Sequence, residues 1–536
     1  MSDAGPRSFG ELASSHRGFV KRALQRIGGA EKTFKHTIDD GDGLKIILST
    51  DYSGMGSFEF AGDLVLDSLG SLLSLPALPQ CVACHRAADL DQHCRKLLMS
   101  HVGHFAPKHV QADILDRLDK VTLNRLQAIL KKHKARATRR LSITKKESKP
   151  TVLARQGKLF MTEAATIMMN AEFKKKSFCH VHNGQCDVHP TEEQRRDAMY
   201  VIAGGNTCVA WSRMGAQEGW LHESSIVFLV WIYDIFKCGK PDIILQECTE
   251  GFDEQTLYDI IGSEYHTEKM CLCPRDLGAP VKRKRQFVLA RKKDSINPIA
   301  AFSRPVFQDI FFKEVSCDAR IFWRAPIHDV DAFFEKMAID RFVPNHPESG
   351  FDWIPEELLT GTMQKRLEQY TELARRKGLT FAVYNLAQNP GFMNHVDGNI
   401  PTLTRKSFLW GTHIPNRASP CARPLMPYEH LAAMGWPMLL PETHNLSKKL
   451  PMKLRYNVWT ANKGPKPKTL RSMAGNGMHV LAMCSIWTFI LTTSDFKSKT
   501  IQLRKRPMPA DESNDLKAGI SCPSCRRRRA RNATSI

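Results

Sequence analysis

The stretch "GLKIILSTDYSGMGSFEFAGDLVLDSL" (43–69) decides how this chain is read. Its apolar run at 44–48 is short and bounded, as in a buried strand, and the residues after Gly56 repeat apolar positions at helical spacing. Between them lies the turn "DYSGMGS", with Gly54 and Gly56 where the strand ends and the helix begins. Glycine lets backbone come close to a ligand, and a helix N-terminus offers free N–H donors to a carboxylate or phosphate. A tight strand–helix turn needs glycine with or without a ligand, so the loop by itself does not decide binding.

Outward from this unit the rhythm repeats. "CVACHRAADLDQHCRKLLMSH" (81–101) and "HVQADILDRL" (109–118) follow it, and the pattern resumes at "AMYVIAGG" (198–205), "PDIILQEC" (241–248) and "RQFVLAR" (285–291). Strands alternating with helices predict an α/β fold around a mostly parallel sheet. Asp89 and Asp113 fall at the tips of the second and third strands, where an acid accepts hydrogen bonds from ribose hydroxyls or an adenine amino group. Each position also fits a helix N-cap.

At 536 residues the chain is long enough for two or three domains. Its 77 Lys+Arg against 55 Asp+Glu give a net charge of +22, an excess that attracts polyanions such as nucleic acid. The longest apolar runs, at 225–236 and 479–491, fall short of the roughly 20 residues that a membrane span needs, so both are expected to be buried helices. Fifteen cysteines, several inside expected core strands, suit free thiols in a reducing compartment. Cys81, Cys84 and Cys94 are expected to be core thiols.

The expected organisation has a leader over 1–42 and a first domain over 43–295, with a basic and Cys/His-rich insertion at about 125–195. A second, smaller domain covers 296–400, the first domain is completed by 401–495, and a basic tail covers 496–536. Within the insertion, residues 131–149 hold nine Lys/Arg and one acid and read as a solvated, mobile linker. Further on, "CHVHNGQCDVH" spaces Cys179, His182, Cys186 and His189 as C-x2-H-x3-C-x2-H, with His180 to spare. That spacing fits a small zinc knuckle, and equally a polar loop with incidental Cys and His. "CPSC" (522–525) has no partner pair in view, and "RRRRAR" (526–531) reads as a nuclear-localisation or nucleic-acid tail.

Taken in order, these stretches resemble the C5-cytosine methyltransferase family. "DYSGMGS" resembles the family's Phe-x-Gly-x-Gly loop for S-adenosylmethionine, with Tyr52 in place of Phe and Ser53 beside Gly54 and Gly56. Asp89 and Asp113 stand where the family holds the cofactor's ribose and adenine. "GGNTCVAWS" is similar to the loop that bears the nucleophile, which gives Cys208 that role, and "ILQECTEGF" to the strand of the Glu-Asn-Val triplet, which matches Glu247. "VKRKRQF" resembles the Gln-x-Arg-x-Arg stretch, at Arg283 and Arg285. "RPLMPYEHLAAMGWP" (423–437) and "AGNGMHV" (474–480) resemble the last two motifs, the latter a closing Gly-Asn pair at Gly475 and Asn476, which puts Asn476 at the cofactor.

The resemblance spans about 44–295 and 400–491. It implies a Rossmann-like methyltransferase domain with a smaller target-recognition domain, and S-adenosylmethionine-dependent methylation of cytosine C5 in DNA. The family's residues around the nucleophile are changed here to Thr207 and Val209, Cys248 follows the glutamate, and Val281 opens the arginine motif. An RNA cytosine methyltransferase and a catalytically silent nucleic-acid-binding protein with the same fold therefore stay open. The recognition domain would offer Arg304, Arg320, Arg324, Arg366, Arg375 and Arg376 among Phe322, Trp323 and Tyr370, a mixture able to contact phosphates and bases. The same region also reads as a basic helix face at 356–377, with Met363, Leu367, Tyr370 and Leu373 at helical spacing.

Overall fold

The computed structural model describes residues 4–38, 44–75, 81–143, 147–213, 215–341, 358–391, 396–414, 422–455 and 466–497. The strands come in the order β1 (Ile46–Asp51), β2 (Val82–Ala88), β3 (Pro107–Gln111), β4 (Lys176–Cys179), β5 (Gly184–Asp187), β6 (Met199–Gly205), β7 (Ile243–Cys248), β8 (Tyr265–Leu272) and β9 (Arg285–Lys292). Seven of them form one sheet in the order β3-β2-β1-β6-β7-β9-β8. The first five run parallel, while β9 inserts antiparallel to both β7 and β8.

Residue alternation along the central strands divides the apolar side chains between two cores. Ile46, Leu48, Met199, Val201, Ile243, Leu245, Phe287 and Leu289 face one side. Ile47, Tyr200, Ile202, Ile244, Val288 and Ala290 face the other. Both faces are covered by helices, which is why the strands carry continuous apolar runs. On the first face lie the helices Ser57–Leu73 and Val480–Thr493, the latter buried at every residue. Pro467–Thr493 is long and apolar enough by composition to cross a membrane, but it serves as a core element of this fold.

Residues 9–38 are not a loose leader. They form three helices whose Phe9, Leu12, Phe19, Val20 and Phe34 are buried in the first core. Nor is 131–149 a linker: Lys120–Ile143 and Lys149–Met169 are helices that pack as a hairpin. Leu126, Leu130, His133 and Ala137 make a narrow buried stripe that is outnumbered by lysines and arginines, so charge hides the periodicity.

Residues 296–322 also belong to the first core through Phe302, Phe307, Phe311 and Phe322. β10 (Ile296–Pro298) pairs with a late strand at Ser494–Phe496. A separate small core gathers Val330, Phe334, Tyr370, Tyr384, Trp410 and Tyr428. It surrounds an antiparallel sheet of β11 (Phe381–Asn385), β12 (Leu409–His413) and β13 (Ala422–Pro424), covered by the helix Gly361–Arg376. Most of the tail, including Cys522, Cys525 and the arginines of 526–531, lies outside the described residues.

Beneath the carboxyl ends of the parallel strands runs a buried ionic network. Asp51, at the tip of β1, is bound by both Arg86 of β2 and Arg117 of the turn after β3. Arg117 also reaches Asp234 at 3.1 Å, and His189 Nε2 meets the other oxygen of that carboxylate at 3.1 Å. The two guanidiniums hold the Asp51 carboxyl far below its usual range, against the opposing effect of burial. Replacing Asp51 with Asn leaves two buried cations short of their counter-charge. We expect a loss of about 3–5 kcal/mol in urea unfolding, against less than about 1 kcal/mol for Asp309→Asn, which removes the exposed pair with Arg26.

Candidate active site

The parallel strands all end at one edge, and an open α/β sheet binds its ligands in the crevice outside those ends. The loop after β1 opens it. Gly54 and Gly56 both take positive φ (59° and 82°), and the following helix starts without a side-chain cap. Gly56 is also crowded: an added Cβ would lie 2.5 Å from His101 Nε2. That imidazole donates to the Met55 carbonyl at 2.8 Å and so clamps the loop from below. His101 was not legible as a site residue, because nothing in its spacing connects it with a turn 46 residues upstream.

Asp89 leaves the tip of β2. Its Oδ2 accepts the Gly54 N–H at 2.8 Å and its Oδ1 the Asp91 N–H at 2.8 Å. Burial raises the carboxyl's pKa, opposed by those two backbone bonds. Asp113 caps the turn after β3 through the Leu115 N–H at 2.9 Å. A carboxylate offers about four acceptor sites, so both residues keep lone pairs for a ligand while shaping their loops. Leu90, beside Asp89, is 71% exposed and gives this rim an apolar surface. Two half-buried carboxylates at adjacent strand tips, facing a glycine loop and a helix N-terminus, fit the ribose and base of a nucleoside cofactor. Ser53 serves the loop itself, its hydroxyl bonding Thr50 Oγ1 and the Ala88 backbone. Tyr52 sits at φ 54° with its ring edge-on to Trp231.

On the other side of the crevice, β6 runs into the turn of Cys208–Ala210, and Cys208 is partly exposed there. Gly204 and Gly205 precede it because side chains fill the space on either hand: a Cβ would meet the Trp231 ring at 2.6 Å or Met478 at 2.7 Å. The register pairs Gly205 with Glu247, and the Asn206 N–H bonds the Glu247 carbonyl at 3.0 Å. Glu247, at the end of β7, forms an ion pair with Arg285 at 3.0 Å, both side chains nearly buried. Cys208 lies two residues beyond Asn206, whose carbonyl accepts the Cys248 thiol at 3.9 Å.

The two arginines have different duties. Arg285 faces Glu247, whereas Arg283 is buried and donates to the carbonyls of Leu403 (3.0 Å), Gly475 (3.3 Å) and Gly477 (2.7 Å). Burial, aided by the neighbouring Arg285, pushes its pKa down to about 9. Arg283 is therefore a tie between distant segments, holding the end of the helix Pro467–Asn476 over the crevice with Asn476 exposed on it. Gly475 itself packs backbone to backbone, its missing Cβ pointing 2.2 Å from the Thr404 carbonyl carbon.

Two sequence-based assignments move. His189 stands apart from the Cys/His group and ends the Asp51 network, bonded to Asp234 and the Tyr200 hydroxyl. The fourth member of the group is His109 of β3, which with Cys179, His182 and Cys186 brings all four ligand atoms within 4.8 Å of one another. Phe322 is buried in the first core, Tyr370 in the small one, and Trp323 is stacked on His413, so these rings are packing elements. Arg304, Arg320, Arg375 and Arg376 are each paired with a nearby acid, and Arg366 donates to the Leu386 carbonyl. Arg324 is exposed. The helix alternative at 356–377 corresponds to Gly361–Arg376.

A seven-stranded sheet whose last-but-one position holds an antiparallel strand is the Rossmann-like arrangement of methyltransferases. The fold is of that type. No family model and no curated protein matches the chain. Solved structures similar to it include the Entamoeba histolytica methyltransferase EhMeth, at 11% identity and TM-score 0.38, covering 84% of this chain and 98% of that one. Another is the S. pombe Dnmt2 methyltransferase, at 13% identity and TM-score 0.36, covering 83% and 98%. A third is a Spodoptera frugiperda DNMT2 mutant, at 11% identity and TM-score 0.36, covering 83% and 99%.

The clamp on the glycine loop has a pH signature. Burial lowers the His101 pKa from 6.5 to about 4, so the folded state binds fewer protons than the unfolded state between those values. Its contribution is complete above pH 6.5 and is lost as the pH falls towards 4. The stability advantage of the wild type over His101→Gln should therefore shrink across that window, by on the order of 3 kcal/mol in total. Urea unfolding of both proteins at a series of pH values measures it.

Proposed function

We propose that this chain is a C5-cytosine methyltransferase that uses S-adenosylmethionine and acts on nucleic acid, DNA before RNA. The observation that carries the reading is the pairing of Arg285 with Glu247 at 3.0 Å, on the strand tip beside the partly exposed Cys208. Glu247 and Arg285 meet only because β9 inserts antiparallel next to β7, and Cys208 follows the strand on the other side of β7. The excess positive charge of the chain supports a polyanionic substrate.

The chemistry divides among these groups. Bound S-adenosylmethionine supplies an electrophilic methyl group. Gly54, Gly56 and the acceptor oxygens of Asp89 and Asp113 would hold it, with Asn476 closing the site. Cytosine C5 is a weak nucleophile, and covalent catalysis splits the difficult step in two. The Cys208 thiolate adds to C6, and the C5–C6 π pair moves into the ring towards N3 and O2. Glu247 assists at N3 as charge develops there, while Arg285 stabilises charge at O2. C5, now enamine-like, is the atom that would accept the methyl group as its bond to the cofactor's sulfur breaks and the neutral thioether leaves. Loss of the C5 proton to solvent then expels the Cys208 thiolate and restores the ring. A base within a duplex is out of reach of this crevice, so the target nucleotide has to leave the stack.

Transfer of labelled methyl to cytosine-containing duplex DNA and to structured RNA, run in parallel, tests the reading. Cys208→Ser should abolish transfer, and Arg285→Ala should reduce it by about 10²–10³-fold, as for removal of an oxyanion donor. The altered neighbours Thr207, Val209 and Cys248 give the silent-binder reading its footing. Absence of transfer to either substrate by the wild-type chain, with nucleic-acid binding intact, decides for that reading.

A further inference from the structure

We infer that His109, Cys179, His182 and Cys186 form a structural zinc site that fastens the inserted hairpin to the edge of the main sheet. The assignment replaces the contiguous sequence pattern with a ligand 70 residues upstream of Cys179. Cys179 ends β4, His182 lies in the turn and Cys186 is on β5, the antiparallel partner of β4. His109 comes from β3, the edge strand of the seven-stranded sheet.

The distances are those of a tetrahedron around one metal ion. The Nδ1 atoms of His109 and His182 are 3.3 Å apart. His182 Nδ1 lies 3.5 Å from Cys179 Sγ and 3.4 Å from Cys186 Sγ, and His109 Nδ1 lies 3.8 Å from Cys179 Sγ. Zinc bonds of about 2.0–2.1 Å to nitrogen and 2.3 Å to sulfur at tetrahedral angles require edges of about 3.3 Å between nitrogens and 3.6 Å from nitrogen to sulfur. Two thiolates and two imidazoles in closed tetrahedral geometry select zinc over the hard cations.

The hairpin has little apolar core of its own. Its strands are four residues each, and Phe178 and Val181 point outward, 41% and 44% exposed. What attaches it to the sheet is polar: the His180 N–H bonds the Val110 carbonyl at 2.8 Å, and Gln111 Nε2 reaches the Asp187 carbonyl at 3.4 Å. Small units without an adequate apolar core commonly rely on a metal or disulfides. The hairpin covers the open edge of β3, whose exit leads to Asp113 four residues beyond His109.

Metal analysis of the purified full-length chain tests this without reference to activity. We expect one zinc per chain, at least a fivefold loss of bound zinc in Cys179→Ser, Cys186→Ser and His109→Asn, and full retention in His189→Asn. Because a ligand variant can misfold, cobalt titration of the chelated wild-type chain is the second measurement. One equivalent should give the intense visible bands of tetrahedral cobalt together with thiolate-to-cobalt charge transfer. Three results would overturn the site: no zinc in the wild type after zinc supplementation with only the weak spectrum of octahedral cobalt, zinc retained in His109→Asn but lost in His189→Asn, or a Cys179–Cys186 disulfide in the non-reduced peptide map.

Discussion

Asp51 is a buried carboxylate shared by two buried guanidiniums, and it lies beneath the crevice where three strand ends meet. Arg86 comes from β2 and Arg117 from the turn after β3, so a single acid at the tip of β1 fixes the ends of three strands relative to one another. Asp234 and His189 extend the network to the helix Ser224–Asp234 and to the segment leaving the inserted hairpin. Buried ion pairs contribute little net stability over apolar packing, but losing one partner is costly. Such a network therefore fixes geometry more than it adds stability. The loop bearing Tyr52, Ser53 and Gly54 starts one residue beyond Asp51, so its position follows from the network's.

The opposite half of the crevice is assembled by topology. β9 runs antiparallel between β7 and β8, and this brings a residue at its start against a residue at the end of β7. Arg285 and Glu247 are thereby placed face to face, and Arg283, two residues earlier, turns inward to grip the carbonyls of 403, 475 and 477. One short segment thus joins the two chain regions flanking the small domain and also presents a charged group to the site. The late helices belong to the same body, with Trp487 stacked between Phe58 and Phe105 and bonded to the Phe58 carbonyl at 2.9 Å.

The sheet was legible because burial on both faces forces unbroken apolar runs, and the glycine turn because a strand–helix corner with a left-handed backbone demands glycine. Asp89 was legible as a strand-tip acid for the same reason. What escaped reading had weaker or misleading signals. The helices of 9–38 bury Ser15, His16, Thr33 and Thr37 among their apolar residues, which breaks the apolar pattern, and the hairpin of 120–169 shows its charges more openly than its apolar stripe. Phe322, Trp323 and Tyr370 read as recognition elements because sequence alone cannot distinguish a packed ring from one awaiting a base. His109 and His189 exchanged places because a sequence motif counts neighbours along the chain, whereas the tetrahedron draws on a strand brought alongside by folding.

The central claim is that Cys208 forms a covalent bond to the pyrimidine ring. The most direct measurement is trapping: the wild-type chain is incubated with S-adenosylmethionine and a duplex carrying 5-fluorocytosine, whose fluorine cannot leave as the proton does. The account predicts a stable protein–DNA adduct, mapped by peptide mass to Cys208 and dependent on the cofactor. Methyl transfer without any adduct, or an adduct that persists in Cys208→Ser or maps to another cysteine, would contradict it.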